Sequence, residues 1–206
     1  MNLVISGPSG SGKGTLINLL LIDSDFQKSV SYTTRKMREG EIHGKDYNFV
    51  SHEKFKNLLN NNYFFEAVEY GNNFYGIPKQ NISLMYNEKK VIFDVIPTTG
   101  INIKKESSDT CLVYIIPPDY KELARRRGNR GNERIKDDII QLNQAKQNYD
   151  YIIIKEDIQN AYKQLKMIIS IYQNNTILKK IDFMDTFFDD TYNKVYLKND
   201  NSMAKR

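Results

Sequence analysis

Residues 3–15, LVISGPSGSGKGT, decide the fold. A short apolar run enters a glycine-rich turn, and the turn ends in Lys13 at the head of a second apolar run. Strand, glycine turn and helix in that order make a cradle for nucleotide phosphates. Gly7, Gly10 and Gly12 let the backbone fold back and bring its N–H groups onto phosphate oxygens, because no Cβ stands in the way. Lys13 adds a mobile positive charge, and the helix behind it directs its positive dipole end at the same anion. Gly7, Pro8, Ser9, Gly10, Ser11, Gly12, Lys13, Gly14 and Thr15 are therefore read as an ATP site that holds the β- and γ-phosphates. The usual pattern puts Ser or Thr directly after the lysine, whereas here Gly14 fills that place and Thr15 follows it. Without a hydroxyl at position 14, Mg²⁺ would be held by ATP and water, a coordination it tolerates.

Around this motif the totals are those of one globular domain of 206 residues, 40% hydrophobic and 27% charged. There is no long apolar run, and the first strand starts at Asn2, so the expectation is a cytoplasmic protein with no leader and no membrane contact. Cys111 is the single cysteine, which excludes an intrachain disulfide framework and suits a small buried apolar residue. His43 and His52 are too isolated for a metal site or a triad. The net charge is +5, and the basic residues concentrate at Arg35–Arg38 and Arg125–Arg134, two short clusters that suit a small polyphosphate at least as well as a duplex, so no nucleic-acid partner is expected.

Apolar runs recur at 3–6, 91–96, 111–116 and 151–154, with helical segments at 13–22, 79–88, 119–127, 135–148 and 157–173. Continuous apolar strands alternating with helices predict an α/β fold with a parallel sheet flanked by helices, its ligand at the carboxyl ends of the strands. Residues 33–78 break the rhythm with polar, turn-rich stretches around DYNFV and YFFEAVEY, and NNFYG suggests a tight turn back. They read as an inserted lobe. The run RRRGNRGNER, 125–134, reads as part of a mobile lid over 125–146. Beyond 175, Leu178, Ile181, Met184 and Phe188 recur at helical spacing in a C-terminal extension, 176–206, to which the sequence assigns no role.

In the lobe, SYTTRKMREG places Arg35 and Arg38 beside hydroxyl side chains, and two guanidiniums converging on one point make a phosphate clamp. Tyr47, Glu66 and Tyr75 follow. A phenol can donate to the same phosphate, and a carboxylate can accept the paired N1–H and N2 amino donors that guanine offers and adenine lacks. By its chemistry Glu69 is an alternative to Glu66.

With GPSGSGKGTL, SYTTRKMREGEIHGKDYNFV, FFEAVEYGNNFYG, VIFDV and LARRRGNRG in order, the chain resembles the guanylate kinase family over residues 3–173. The resemblance implies a P-loop NTPase with a lobe that binds the nucleoside monophosphate (33–78 of a domain spanning 1–175) and a lid. It implies GMP-phosphate ligands at Arg35, Arg38, Tyr47 and Tyr75, and guanine contacts at Ser31 and Glu66. Arg126 and Arg130 would embrace the migrating phosphoryl group, making Lys13, Arg38, Arg126 and Arg130 the catalytic set. Asp94 would reach the metal through water. The chain departs from the family where Ile77 follows the tyrosine-glycine pair, and where DVIPTTG (94–100) replaces DxDxQG, putting Ile96 in place of the second aspartate. Asp137 and Asp138 occupy the neighbourhood of a further family arginine, for which Arg134 is a possible substitute.

The implied activity is reversible, Mg²⁺-dependent transfer of the ATP γ-phosphoryl group to GMP, giving ADP and GDP in purine nucleotide metabolism. The substrates would be ATP and GMP and the enzyme a monomer or homodimer. Two alternatives stay open at this level: a kinase of ribose 1,5-bisphosphate, and a non-catalytic guanylate-kinase-like module that binds protein.

Overall fold

The computed structural model describes residues 1–87, 89–127 and 135–173. It divides into two compact units, Met1–Ile5 with Ile17–Leu112, and Ser6–Leu16 with the chain from Val113 onward. The division runs through continuous elements, since the helix Lys13–Asp23 and the strand Thr110–Ile116 contribute to both.

The first unit begins with β1 (Asn2–Ser6) and continues, after the glycine-rich turn, through α1 (Lys13–Asp23), β2 (Gln27–Lys28), β3 (Tyr32–Thr33) and β4 (Asn48–Phe49). Next come α2 (His52–Asn60), β5 (Phe64–Tyr70), β6 (Asn73–Pro78) and α3 (Lys79–Ser83), the last extended by a 3₁₀ turn at Leu84–Tyr86. It closes with β7 (Val91–Asp94), α4 (Pro97–Glu106) and β8 (Thr110–Ile116). β7 pairs in parallel with β1, Ile5 opposite Asp94, and with β2, Gln27 opposite Val91. All of β1 and β8 is buried. Strands covered on both faces cannot alternate with polar residues, which is why these read as unbroken apolar runs.

In the second unit β8 leads into α5 (Tyr120–Arg127), α6 (Ile135–Asn148), β9 (Tyr151–Ile154) and α7 (Ile158–Gln173). β9 runs parallel to β8, with Val113 opposite Tyr151 and Ile116 opposite Ile154. The strand order of the sheet is β2-β7-β1-β8-β9. Two of the helices start at aspartates that accept an amide of the first turn: Asp119 from Glu122 N–H at 2.7 Å, and Asp157 from Asn160 N–H at 2.8 Å. α7 buries Ala161, Leu165, Ile168 and Ile169, one stripe at helical spacing.

A separate four-stranded sheet has the order β4-β3-β6-β5. The β5–β6 hairpin turns at Gly71 and Asn72, both with positive φ (56° and 59°), the pairing that a two-residue turn needs to match strand twist. The tight turn therefore lies just before NFYGIP, which is itself the returning strand. Two helices escaped the sequence reading. α2 carries its own start signal, Ser51, whose hydroxyl accepts Lys54 N–H at 3.1 Å. α4 cuts the expected 91–96 strand short at Asp94, because Pro97 has the fixed φ and missing N–H that suit a first helical position.

Phe55 of α2 stacks on Phe64 and Phe74 with ring centroids 4.7 and 5.6 Å apart. Gly76 makes room for this cluster, since a Cβ there would sit 2.7 Å from the Phe64 ring and 3.0 Å from Phe55 Cζ. Gly76→Ala is expected to cost about 1–3 kcal/mol by overpacking, read as a lower urea midpoint at unchanged slope. A midpoint equal to wild type would mean that the aromatic cluster has slack.

Candidate active site

The glycine-rich turn lies in the second unit. Gly7 has φ 148° and Gly12 has φ 89°, conformations that a side chain at either position would strain. Gly7 is also closed to a Cβ, which would run into the Ile115 carbonyl oxygen, whereas at Gly12 a Cβ would lie 2.9 Å from Nζ at the end of the flexible Lys155 side chain. Lys13 Nζ donates to the Gly7 carbonyl at 2.6 Å and more weakly to that of Pro8 at 3.3 Å. The ammonium thus lies across the turn on two carbonyl oxygens. Ser6 at the end of β1 shares a 2.6 Å hydrogen bond with the Tyr149 hydroxyl, and burial pushes that phenol well above its ordinary pKa. Ser11 is fully buried and its hydroxyl has no hydrogen-bond partner among the described residues. Gly14 is exposed with no atom near its missing Cβ, and Thr15 is exposed as well. Lys155, a residue that motif reading missed, adds a second ammonium beside the loop; only its position straight after the apolar run YIII hinted at a site.

In the first unit, Arg35 grips Glu41 with both arms of its fork, Nη1 to Oε2 at 2.9 Å and Nη2 to Oε1 at 2.8 Å. Glu41 also accepts the Arg38 backbone N–H at 2.7 Å, so one carboxylate staples the whole turn 35–41. The Arg35 guanidinium lies 5.4 Å from the ring centres of both Tyr47 and Phe49. Burial works against the Arg35 cation, but the Glu41 carboxylate more than compensates, and the net shift is upward. Burial likewise opposes ionisation of Glu41, yet Arg35 and the Arg38 amide carry its pKa below the usual 4.5.

Tyr47 and Tyr75 meet edge to face, with centroids 6.0 Å apart. Burial pushes the Tyr47 phenol far up, with the Asp94 carboxylate and Tyr75 adding to the effect, so it stays a neutral donor. Arg35, Tyr47, Tyr75 and the half-buried Asp94 thus form one neighbourhood. The hydroxyls of TTR serve the backbone instead: Thr33 accepts Arg35 N–H at 3.1 Å and Thr34 accepts Phe74 N–H at 2.9 Å. The Arg38 side chain is exposed. Ser31 is buried, and its carbonyl accepts Asn48 N–H at 2.8 Å.

Glu66 stands opposite Ile77, just past a bulge that shifts the β5 register after Phe64. Thr99 Oγ1 donates to its Oε1, and Asn102 Nδ2 donates to its Oε2 at 2.9 Å. Glu69 is exposed and faces Phe74 across the hairpin. Of the expected lid residues, the Arg126 side chain and Arg130 lie outside the described residues, as do Arg134 and the extension 176–206. Among the described residues, no group of three or more His, Cys, Asp and Glu is placed to hold a metal, and no helix is long and apolar enough to cross a membrane.

A family model described as guanylate kinase matches residues 1–172. The chain is 38% identical over 198 residues to a guanylate kinase of Blochmanniella floridana, covering 86% of this chain and 94% of that one. It is 37% identical over 176 residues to a guanylate kinase of Lactobacillus johnsonii, covering 81% and 86%. The crystal structure of guanylate kinase from Anaplasma phagocytophilum is similar with a TM-score of 0.70 at 30% identity, covering 85% of this chain and 87% of that one.

The Arg35–Glu41 pair has a pH signature. A carboxylate whose folded pKa is depressed contributes stability that is complete above its unfolded value and is lost as pH falls through the folded one. The difference in unfolding free energy between wild type and Glu41→Gln is therefore expected to be constant above about pH 4.5 and to shrink below it. A difference that persists unchanged into acid would contradict the pairing.

Proposed function

Because the chain belongs to the guanylate kinase family, we propose that it transfers the ATP γ-phosphoryl group reversibly to GMP through the residues described above. Glu66 carries the acceptor assignment. It follows a bulge in β5, and its carboxylate is oriented by two donors, an arrangement suited to accepting paired N–H groups from a guanine ring. Ser31 is assigned to the same base, and Arg35, Arg38, Tyr47 and Tyr75 to its 5′-phosphate.

The chemistry asks little of a base, because the attacking phosphate oxygen is already anionic. Alignment and charge neutralisation supply the rate. Lys13 would exchange the Gly7 and Pro8 carbonyls for phosphate oxygens of ATP, with backbone amides of residues 7–15 around them. Arg35 is held by Glu41 and two aromatic rings, which orders one acceptor cation before substrate arrives. Tyr47, kept neutral, can donate to the acceptor phosphate and not repel it. Arg126 and Arg130 are assigned to the migrating group.

Kinases of this family act on ATP together with a divalent metal, which we assign as Mg²⁺. Gly14 offers no hydroxyl, so the turn fits an ion that keeps its water and nucleotide oxygens. The half-buried Asp94 is assigned a contact to the metal through water. When bound, the metal lowers the negative charge that transfer must overcome. The enzyme is assigned to the cytoplasm, as a monomer or homodimer acting without nucleic acid or membrane. Neither a ribose bisphosphate kinase nor a binding-only module is favoured, since the relatives above are guanylate kinases.

Lys13→Ala is expected to lower kcat by several orders of magnitude with an unchanged thermal midpoint, and Glu66→Ala to act mainly on KM for GMP and on choice of base. Full activity in Lys13→Ala would remove the phosphate assignment.

A further inference from the structure

Resting on the assignment of Glu66 to guanine, we infer that Thr99 and Asn102 of α4 are positioning residues that set selectivity for the 2-amino purine. A carboxylate has two acceptor sites on each oxygen. Thr99 occupies one on Oε1 and Asn102 one on Oε2, so among the described residues one site remains on each oxygen. That remainder matches the N1–H and N2 donors of guanine. Hypoxanthine offers N1–H alone, and adenine offers neither.

The two donors also fix the plane of the carboxylate, whose last torsion is otherwise broad. Thr99 is 3% exposed, so solvent competes little with the bond its hydroxyl makes. Asn102 has its amide orientation set from behind, because Lys105 Nζ donates to Oδ1 at 3.3 Å and leaves Nδ2 for Glu66. Both donors come from one helix opened by Pro97, which gives them a common rigid base. Ile96, at the head of that helix, has no polar atom with which to assist. The chain thus has an acceptor pair supported by donors at positions 99 and 102.

Steady-state kinetics with GMP and with IMP, the hypoxanthine nucleotide, on wild type, Thr99→Val, Thr99→Ser, Asn102→Leu and Glu66→Ala test this. Hydrogen bonds to a charged partner are worth about a factor of ten or more each. Thr99→Val and Asn102→Leu should each raise KM for GMP about tenfold, leave kcat at saturating GMP and KM for ATP within about twofold, and narrow the GMP-to-IMP ratio of kcat/KM about tenfold. Thr99→Ser, which keeps the hydroxyl, should restore both values. If Glu66→Ala loses the ratio while Thr99→Val and Asn102→Leu keep it, the positioning role is wrong and the Glu66 assignment stands. A Thr99→Ser variant as impaired as Thr99→Val would reduce Thr99 to packing and overturn its role. If Glu66→Ala keeps the ratio, the assignment and this inference both fail.

Discussion

A fully buried parallel strand that must stop and reverse within a few residues is the constraint on which the rest depends. β1 is covered on both faces, and at its end Gly7 passes so close to the Ile115 carbonyl that no side chain could be carried through. The chain there must be glycine, and the turn it permits leads directly into the head of α1. The proposed anion site rests on that geometry. Lys13, lying on the Gly7 and Pro8 carbonyls, shows where positive charge is welcome and what a phosphate would displace.

The first unit solves a different problem, holding charged groups in place, which on the proposed assignment serve a ligand that is both anionic and aromatic. Its solution is to spend one carboxylate on each task. Glu41 ties Arg35 and the 35–41 turn into a fixed shape, while Glu66 is itself tied by Thr99 and Asn102. In both cases a charged side chain is oriented before substrate binds, which lowers the ordering cost at the moment of binding.

Much of this was legible in the sequence. The buried strands were, because strands covered on both faces lose alternation, and the glycine-rich turn was, because few residue types survive its backbone angles. α2 and α4 were not, although Ser51 and Pro97 each carry a recognised start signal; the first lies in a stretch dominated by polar residues and the second directly follows a strand. Glu41 is one glutamate in a charged run, and nothing in its spacing announces a bidentate grip on Arg35. Thr99 and Asn102 reach Glu66 across more than thirty residues of chain, a pairing that only the fold can make. Lys155 is likewise brought to Gly12 from the far end of the chain.

The identity of the acceptor decides what the site does. Purified protein with ATP and Mg²⁺, offered GMP, dGMP, AMP, CMP, UMP or ribose 1,5-bisphosphate one at a time, tests it directly through the rate of ADP formation. Rapid release with GMP, and none with AMP, CMP, UMP or the ribose bisphosphate, is the result expected. Release driven by a different acceptor, or none with any of them while ATP still binds, would contradict it.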